Sequence, residues 1–89
     1  MKAVKIEVMT VHYMGPLVVE QVAEDNSLFS VYMEGSLLGR VQPVQKINNI
    51  LWYSKQITDK DLLGQIGEWI EHHFPLTQLS FQRMYEYRF

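Results

Sequence analysis

Residues 58–74 read TDKDLLGQIGEWIEHHF. At about 100° per residue, Leu62, Leu63, Ile66, Trp69, Ile70, His73 and Phe74 share one arc of roughly 140°. Gly64, Gln65, Glu68, Glu71 and His72 fill the other side. One apolar stripe predicts one amphipathic helix packed on a single surface, most simply the face of a sheet. Thr58 followed by Asp61 resembles a capping box with Asp in place of Glu. Asp59 and Asp61 suit the positive end of the helix dipole. Pro75 stops the helix, which is predicted from about Asp59 to His73. Each of Gly64 and Gly67 costs ~1 kcal/mol relative to Ala inside a helix. Gly67 borders the apolar arc and suits a close approach to the sheet or a partner. Gly64 lies on the polar face, where nothing in the sequence accounts for it.

Upstream of the helix the apolar period changes to two. Val4, Ile6 and Val8 alternate with Lys5 and Glu7, the pattern of a half-buried strand. The phase then slips toward Val11 and Tyr13, which predicts a β-bulge near Met9-Thr10. Gly15-Pro16 is a turn signal. Leu17-Val18-Val19 opens a second strand running to about Ala23. Glu24-Asp25-Asn26-Ser27 has the composition of a hairpin loop. Phe29, Val31 and Met33 alternate with Ser30, Tyr32 and Glu34 in a third strand, closed by the turn Glu34-Gly35-Ser36. Leu37 to Gln42 reads as a fourth strand, ended by Pro43 or lying at an edge because proline cannot donate to a ladder. Asn48-Asn49 marks a turn. Ile50-Leu51-Trp52-Tyr53 is rich in β-formers and reads as a fifth strand.

Downstream, odd positions from Leu79 are Leu79, Phe81, Arg83, Tyr85, Tyr87 and Phe89. That alternation favours a strand, with a short helix as the alternative because Leu79, Arg83, Met84 and Tyr87 also recur at helical spacing. Four aromatics in nine residues, Phe81, Tyr85, Tyr87 and Phe89, predict a tail that docks on its own domain or on another chain. The fold expected is therefore α+β: an antiparallel meander sheet of 4–5 strands, one amphipathic helix on one face, and a C-terminal aromatic strand or tail. A single small domain spans residues 1–89, with the sheet in 1–54, the helix in 58–74 and the docking tail in 76–89.

The 89 residues allow one domain with one modest core. A hydrophobic fraction of 47% with 20% charged residues excludes a disordered chain. A net charge of −2 provides no electrostatic footprint for phosphate backbones. Without cysteine there is no disulfide, thiolate zinc site or thiol nucleophile. Lys5 and Glu7 interrupt any signal-peptide core, and no stretch reaches the length of a membrane span. The expectation is a soluble, cytoplasmic protein.

Candidate chemistry is sparse. His72 and His73 project about 100° apart on a helix, so they do not converge on one ion. Glu68 and His72 share a face but supply only two ligands where zinc needs three or four. His73 reads instead as a partly buried ring of the apolar stripe. His12, Glu7, Glu20, Glu24, Asp25 and Glu34 are candidate acids and bases, yet nothing groups one of them with a nucleophile. Ser27, Ser30, Ser36, Ser54 and Ser80 lie in no elbow or triad-like context. Gly64-Gln65-Ile66-Gly67 is too short for a nucleotide fingerprint. No catalytic residue, cofactor or metal site is expected. Arg83 and Arg88 among the tail aromatics suggest weak single-stranded nucleic-acid binding, a reading opposed by Glu86 and by the overall acidity. Met9, Met14, Met33 and Met84 fit a soft core or contact surface. Trp52 is expected to pack against Trp69 or Ile66.

One helix covers only part of a five-stranded sheet. Val18, Leu28, Tyr32, Leu38 and Tyr53 are expected on the uncovered face, and a contiguous apolar patch marks an interaction site. The favoured function is a small non-enzymatic interaction or regulatory module that self-associates as a dimer or binds another protein. Its interaction residues are Tyr32, Leu38, Phe81, Arg83, Tyr85, Tyr87, Arg88 and Phe89. The first alternative is a ligand-binding protein or enzyme with a pocket between helix and sheet. The second is the nucleic-acid binder.

Overall fold

Period-two alternation and tight turns build an antiparallel meander in this computed structural model, which describes residues 3–47, 49–74 and 82–83, with 25–26 and 82–83 by backbone alone. The strands are β1 (Ala3–Met9), β2 (Met14–Val22), β3 (Asp25–Met33), β4 (Ser36–Gln45) and β5 (Ile50–Tyr53), in spatial order β1-β2-β3-β4-β5. Helix α1 (Lys60–His73) follows, then β6 (Gln82–Arg83). The sheet curls into a half-barrel around α1. The expected α+β architecture is the one observed.

Ile6 and Val8 of β1, Leu17 and Val19 of β2, Phe29 and Val31 of β3 and Val41 of β4 face inward and are fully buried. They meet Ile66, Ile70 and Phe74 from the predicted helical stripe, with Ile57 of the β5–α1 connection. Phe29 is the centre of this core. Its ring sits edge-to-face with Phe74 at 5.0 Å and with Trp52 at 6.0 Å between centroids. Such pairs contribute about 0.5–1.5 kcal/mol each beyond their buried area. Trp52 lies directly on Gly67, where any Cβ would overlap the indole ring. The close approach expected at Gly67 is thus made by Trp52. Of the two partners expected for Trp52, Trp69 sits on the opposite flank of α1, at β1, while Ile66 belongs to the core cluster against which Trp52 packs.

Several local expectations are corrected. There is no bulge at Met9-Thr10: β1 ends at Met9, and Thr10 to Tyr13 form the hairpin turn. Thr10 closes that turn with its backbone N–H on Tyr13 O (2.8 Å), while its Oγ1 accepts from the His12 and Tyr13 amides. Gly15-Pro16 is not a turn but lies in the ladder, opposite Val8 and Glu7. The second loop is tighter than the polar tetrad suggested, since β3 already begins at Asp25. The turn at Glu34-Gly35 is confirmed, both residues having positive φ (52° and 84°), as a two-residue hairpin requires. Asp59, not Thr58, is the N-cap of α1, and its Oδ1 accepts from the Asp61 and Leu62 amides at 3.0 and 3.2 Å.

Pro43 neither ends β4 nor marks an edge; it is buried opposite Trp52, with a strand on each side of β4. Lys46 N–H donates to Asn49 O at the hairpin end. The alternation of an antiparallel ladder then makes Pro43–Trp52 a pair without mutual hydrogen bonds. The missing N–H therefore faces the other side, beyond the β3 ladder, which reaches only Phe29↔Val41. Pro16 is accommodated in the same way, ahead of the β2–β3 pairing that starts at Val18. The strand reading of the tail holds at β6, which pairs parallel to β4 through Val44↔Gln82 and Gln45↔Arg83. Pro75 and the remainder of the tail lie outside the described residues.

The two helical glycines should respond oppositely to a methyl group. Gly67→Ala forces the Trp52 ring away and is expected to destabilise the fold by ~1–3 kcal/mol. Gly64 is exposed with nothing within 4 Å of a Cβ, so Gly64→Ala should stabilise by up to ~1 kcal/mol. Urea midpoints of the two variants would show this opposition.

Candidate functional site

A half-barrel has two sheet edges, and each presents unpaired backbone groups. On β1 the alternation set by the Thr10–Tyr13 bond points the amides and carbonyls of Ala3, Lys5, Glu7 and Met9 away from β2. Helix α1 supplies partners for this edge. Met9 N–H donates to Gln65 Oε1 (2.8 Å), and Gln65 Nε2 donates to Met9 O (2.7 Å). Trp69 Nε1 donates to Glu7 O (2.8 Å). The Gln65 amide thus acts as a short surrogate strand. A second surrogate serves β4 where it outruns β5: the Arg40 amide donates to Gln56 Oε1 (3.1 Å).

The opposite edge, β5, is treated differently. Its ladder with β4 runs from Gln42↔Tyr53 to Gln45↔Ile50. The same alternation turns the backbone groups of Ile50 and Trp52 outward. Among the described residues no side chain bonds to them. Trp52 Nε1 instead donates to Glu71 Oε2 at 2.7 Å, which ties the indole to α1 while leaving the strand edge free.

Between this edge and α1 runs a half-open groove of about 750 Å³. Its sheet wall is Ile50 to Ser54, and Leu63, Gly64 and the carboxylates of Glu68 and Glu71 form part of its helix wall. Lys60 closes the end nearest the helix N-terminus. Lys60 and Glu68 are exposed, and among the described residues their side chains form no ion pair or hydrogen bond. Gly64 lowers the helix wall at mid-groove. Sequence reasoning offered a pocket between helix and sheet only as an alternative and did not place it at β5; the signal for its position was the helical glycine without a local reason.

The residues expected to interact are dispersed. Val18, Tyr32 and Leu37 pair across β2, β3 and β4 on the outer face, with Val18 and Leu37 exposed and Tyr32 half-buried. Leu38, expected on that face, packs partly on the core, because a register shift between Val31 and Tyr32 displaces it. Tyr53 is half-exposed at the groove. The side chains of Phe81, Arg83, Tyr85, Tyr87, Arg88 and Phe89 lie outside the described residues. Met9 and Met14, paired at the β1–β2 hairpin, are exposed, and Val11 at its tip is 92% exposed.

The histidines join an aromatic group on α1. His73 stacks on Trp69 at 5.6 Å with planes 14° apart, and His72 stands nearly perpendicular to His73 at 5.0 Å. These rings pack on one another rather than converging on a point. Among the described residues no cluster of three or more His, Cys, Asp or Glu could hold a metal ion, and no helix is long and apolar enough to cross a membrane.

Among the described residues the architecture is an antiparallel half-barrel with one helix packed against it, the β1 edge capped at Glu7 and Met9 and the β5 edge without a side-chain cap. No protein-family model, curated protein or solved structure matches this chain.

The capping of β1 is testable. Gln65→Ala removes both bonds to Met9 and should cost on the order of 1–2 kcal/mol. The Met9 amide should then exchange faster with deuterium, while amides of the central β3 strand keep their protection.

Proposed function

We propose that this chain is a small, non-enzymatic protein-interaction module that self-associates through the β5 edge and the adjoining groove. The observation that carries this reading is the contrast between the edges. The chain devotes Gln65 and Trp69 to the backbone of β1, whereas among the described residues the outward backbone of Ile50 and Trp52 has no partner beside an apolar groove. An exposed strand edge is a template for pairing with another chain, and natural proteins blunt such edges where association is harmful. Addition of an extended segment to an edge beside a helix is a recurring mode of recognition. The exposed pair Val18 and Leu37 on the outer face offers a smaller apolar surface.

A ligand-binding reading has one observation in its favour: the groove lies between helix and sheet and has the size of a small-molecule site. Trp52 fluorescence would report an occupant. Saturable quenching by a small ligand, with the protein held monomeric, would favour that reading.

The interaction reading predicts a specific change in hydrogen exchange. As protein concentration rises through the association range, the Ile50 and Trp52 amides should gain protection together with an increase in solution mass. Lys5, whose amide on β1 also points away from β2 and has no partner among the described residues, serves as the reference. Unchanged exchange at Ile50 and Trp52 across that range would overturn the β5 edge as the contact.

A further inference from the structure

We infer that the occupant of the groove is a second copy of this chain, docked about a twofold axis at Gly64, with Lys60 of each copy facing the partner's Glu68. This rests on the interaction reading above and names its partner and geometry.

A twofold interface is isologous: the same patch serves both copies and must complement itself. The helix wall of the groove meets that condition. Lys60, Gly64 and Glu68 all line it. They stand at intervals of four residues, so Gly64 is the midpoint between one cation and one anion. An axis at Gly64 runs the two helices antiparallel and superposes each Lys60 on the partner's Glu68. Any other exposed helical patch with a single charge sign would repel itself on such an axis. Among the described residues, neither the Lys60 nor the Glu68 side chain has an ion-pair or hydrogen-bond partner. Eight residues along one helix separate them by about 12 Å, too far for an internal pair.

The glycine acquires a reason in this arrangement. Among the described residues nothing lies within 4 Å of a Cβ at Gly64. Its own fold therefore does not require a residue this small, although glycine weakens a helix. A close crossing of two helices at that point does require it. Leu63, partly buried beside it, supplies apolar surface at the crossing. The outward backbone of Ile50 and Trp52 borders the same groove and is covered when two grooves face one another.

Charge exchange tests the twofold geometry directly. Lys60→Glu alone places two like-charged pairs across the axis, and so does Glu68→Lys alone. Each single variant should dimerise more weakly than the parent chain, on the order of tenfold in dissociation constant. An equimolar mixture of the two variants should form a heterodimer in which both contacts are again opposite in sign, with affinity within about threefold of the parent. The double variant, carrying both exchanges in one chain, should also regain dimerisation. Gly64→Gln should lower association while raising the melting temperature of the monomer, which separates loss of contact from loss of fold. Light scattering and sedimentation of full-length chains at low salt measure all of these. Circular dichroism melts confirm that each variant folds.

A parent chain that stays monomeric overturns the proposal, as does a mixture that associates no better than its single components. Concentration-dependent protection of Ile50 and Trp52 with no response to charge exchange would overturn the twofold axis and leave the β5 contact standing. Absence of that protection would remove the β5 contact itself.

Discussion

The backbone at the edges of a curled sheet is the constraint on which this structure depends. Five antiparallel strands satisfy one another internally, but a half-barrel that does not close leaves two rows of donors and acceptors. Helix α1 fills the opening and does two tasks at once. Its apolar stripe, Ile66, Ile70 and Phe74, covers the concave core. Its flank toward β1 carries Gln65 and Trp69, whose side chains bond the outward Met9 N–H and O and the Glu7 O of β1. The position of α1 is therefore set by hydrogen bonds on one side and by the Trp52–Gly67 contact on the other.

That asymmetry leads to the functional reading. A helix held tightly against β1 and pressed onto the Trp52 ring leaves a trough beside the β5 backbone. Trp52 is the pivot: its indole packs on Gly67, its ring meets Phe29 edge-to-face, and its Nε1 reaches Glu71. Its main chain still points outward. The same residue thus anchors the fold and borders the open edge.

Much of the fold was legible in residue order. The stripe of residues 62–74, the alternation of Val4, Ile6 and Val8 and of Phe29, Val31 and Met33, and the turn at Glu34-Gly35 are local patterns with local causes. The misread places share a cause as well. Gly15-Pro16 carries a turn dipeptide, yet Thr10 closes the turn earlier and Pro16 falls where no donor is needed. Pro43 was expected to end β4, but ladder alternation turns its missing N–H away from β5. Leu38 was assigned to the outer face by counting in twos, and a register shift moved it inward. In each case a pairing partner distant in sequence decides the outcome.

By itself, the sequence determined the class of the protein: an antiparallel meander followed by one amphipathic helix, because side-chain periodicity reports which face of an element must leave water. It also marked Gly67 as a point of close approach and Gly64 as a residue without a local purpose. Only the tertiary structure decided which edge is capped and which is open, and that the groove lies at β5. Hydrogen bonds such as Gln65 to Met9 join residues 56 positions apart, and no local pattern encodes such a pairing. The candidate site is backbone that folding turns away from its ladder, so it has no motif that could be read before the chain is folded.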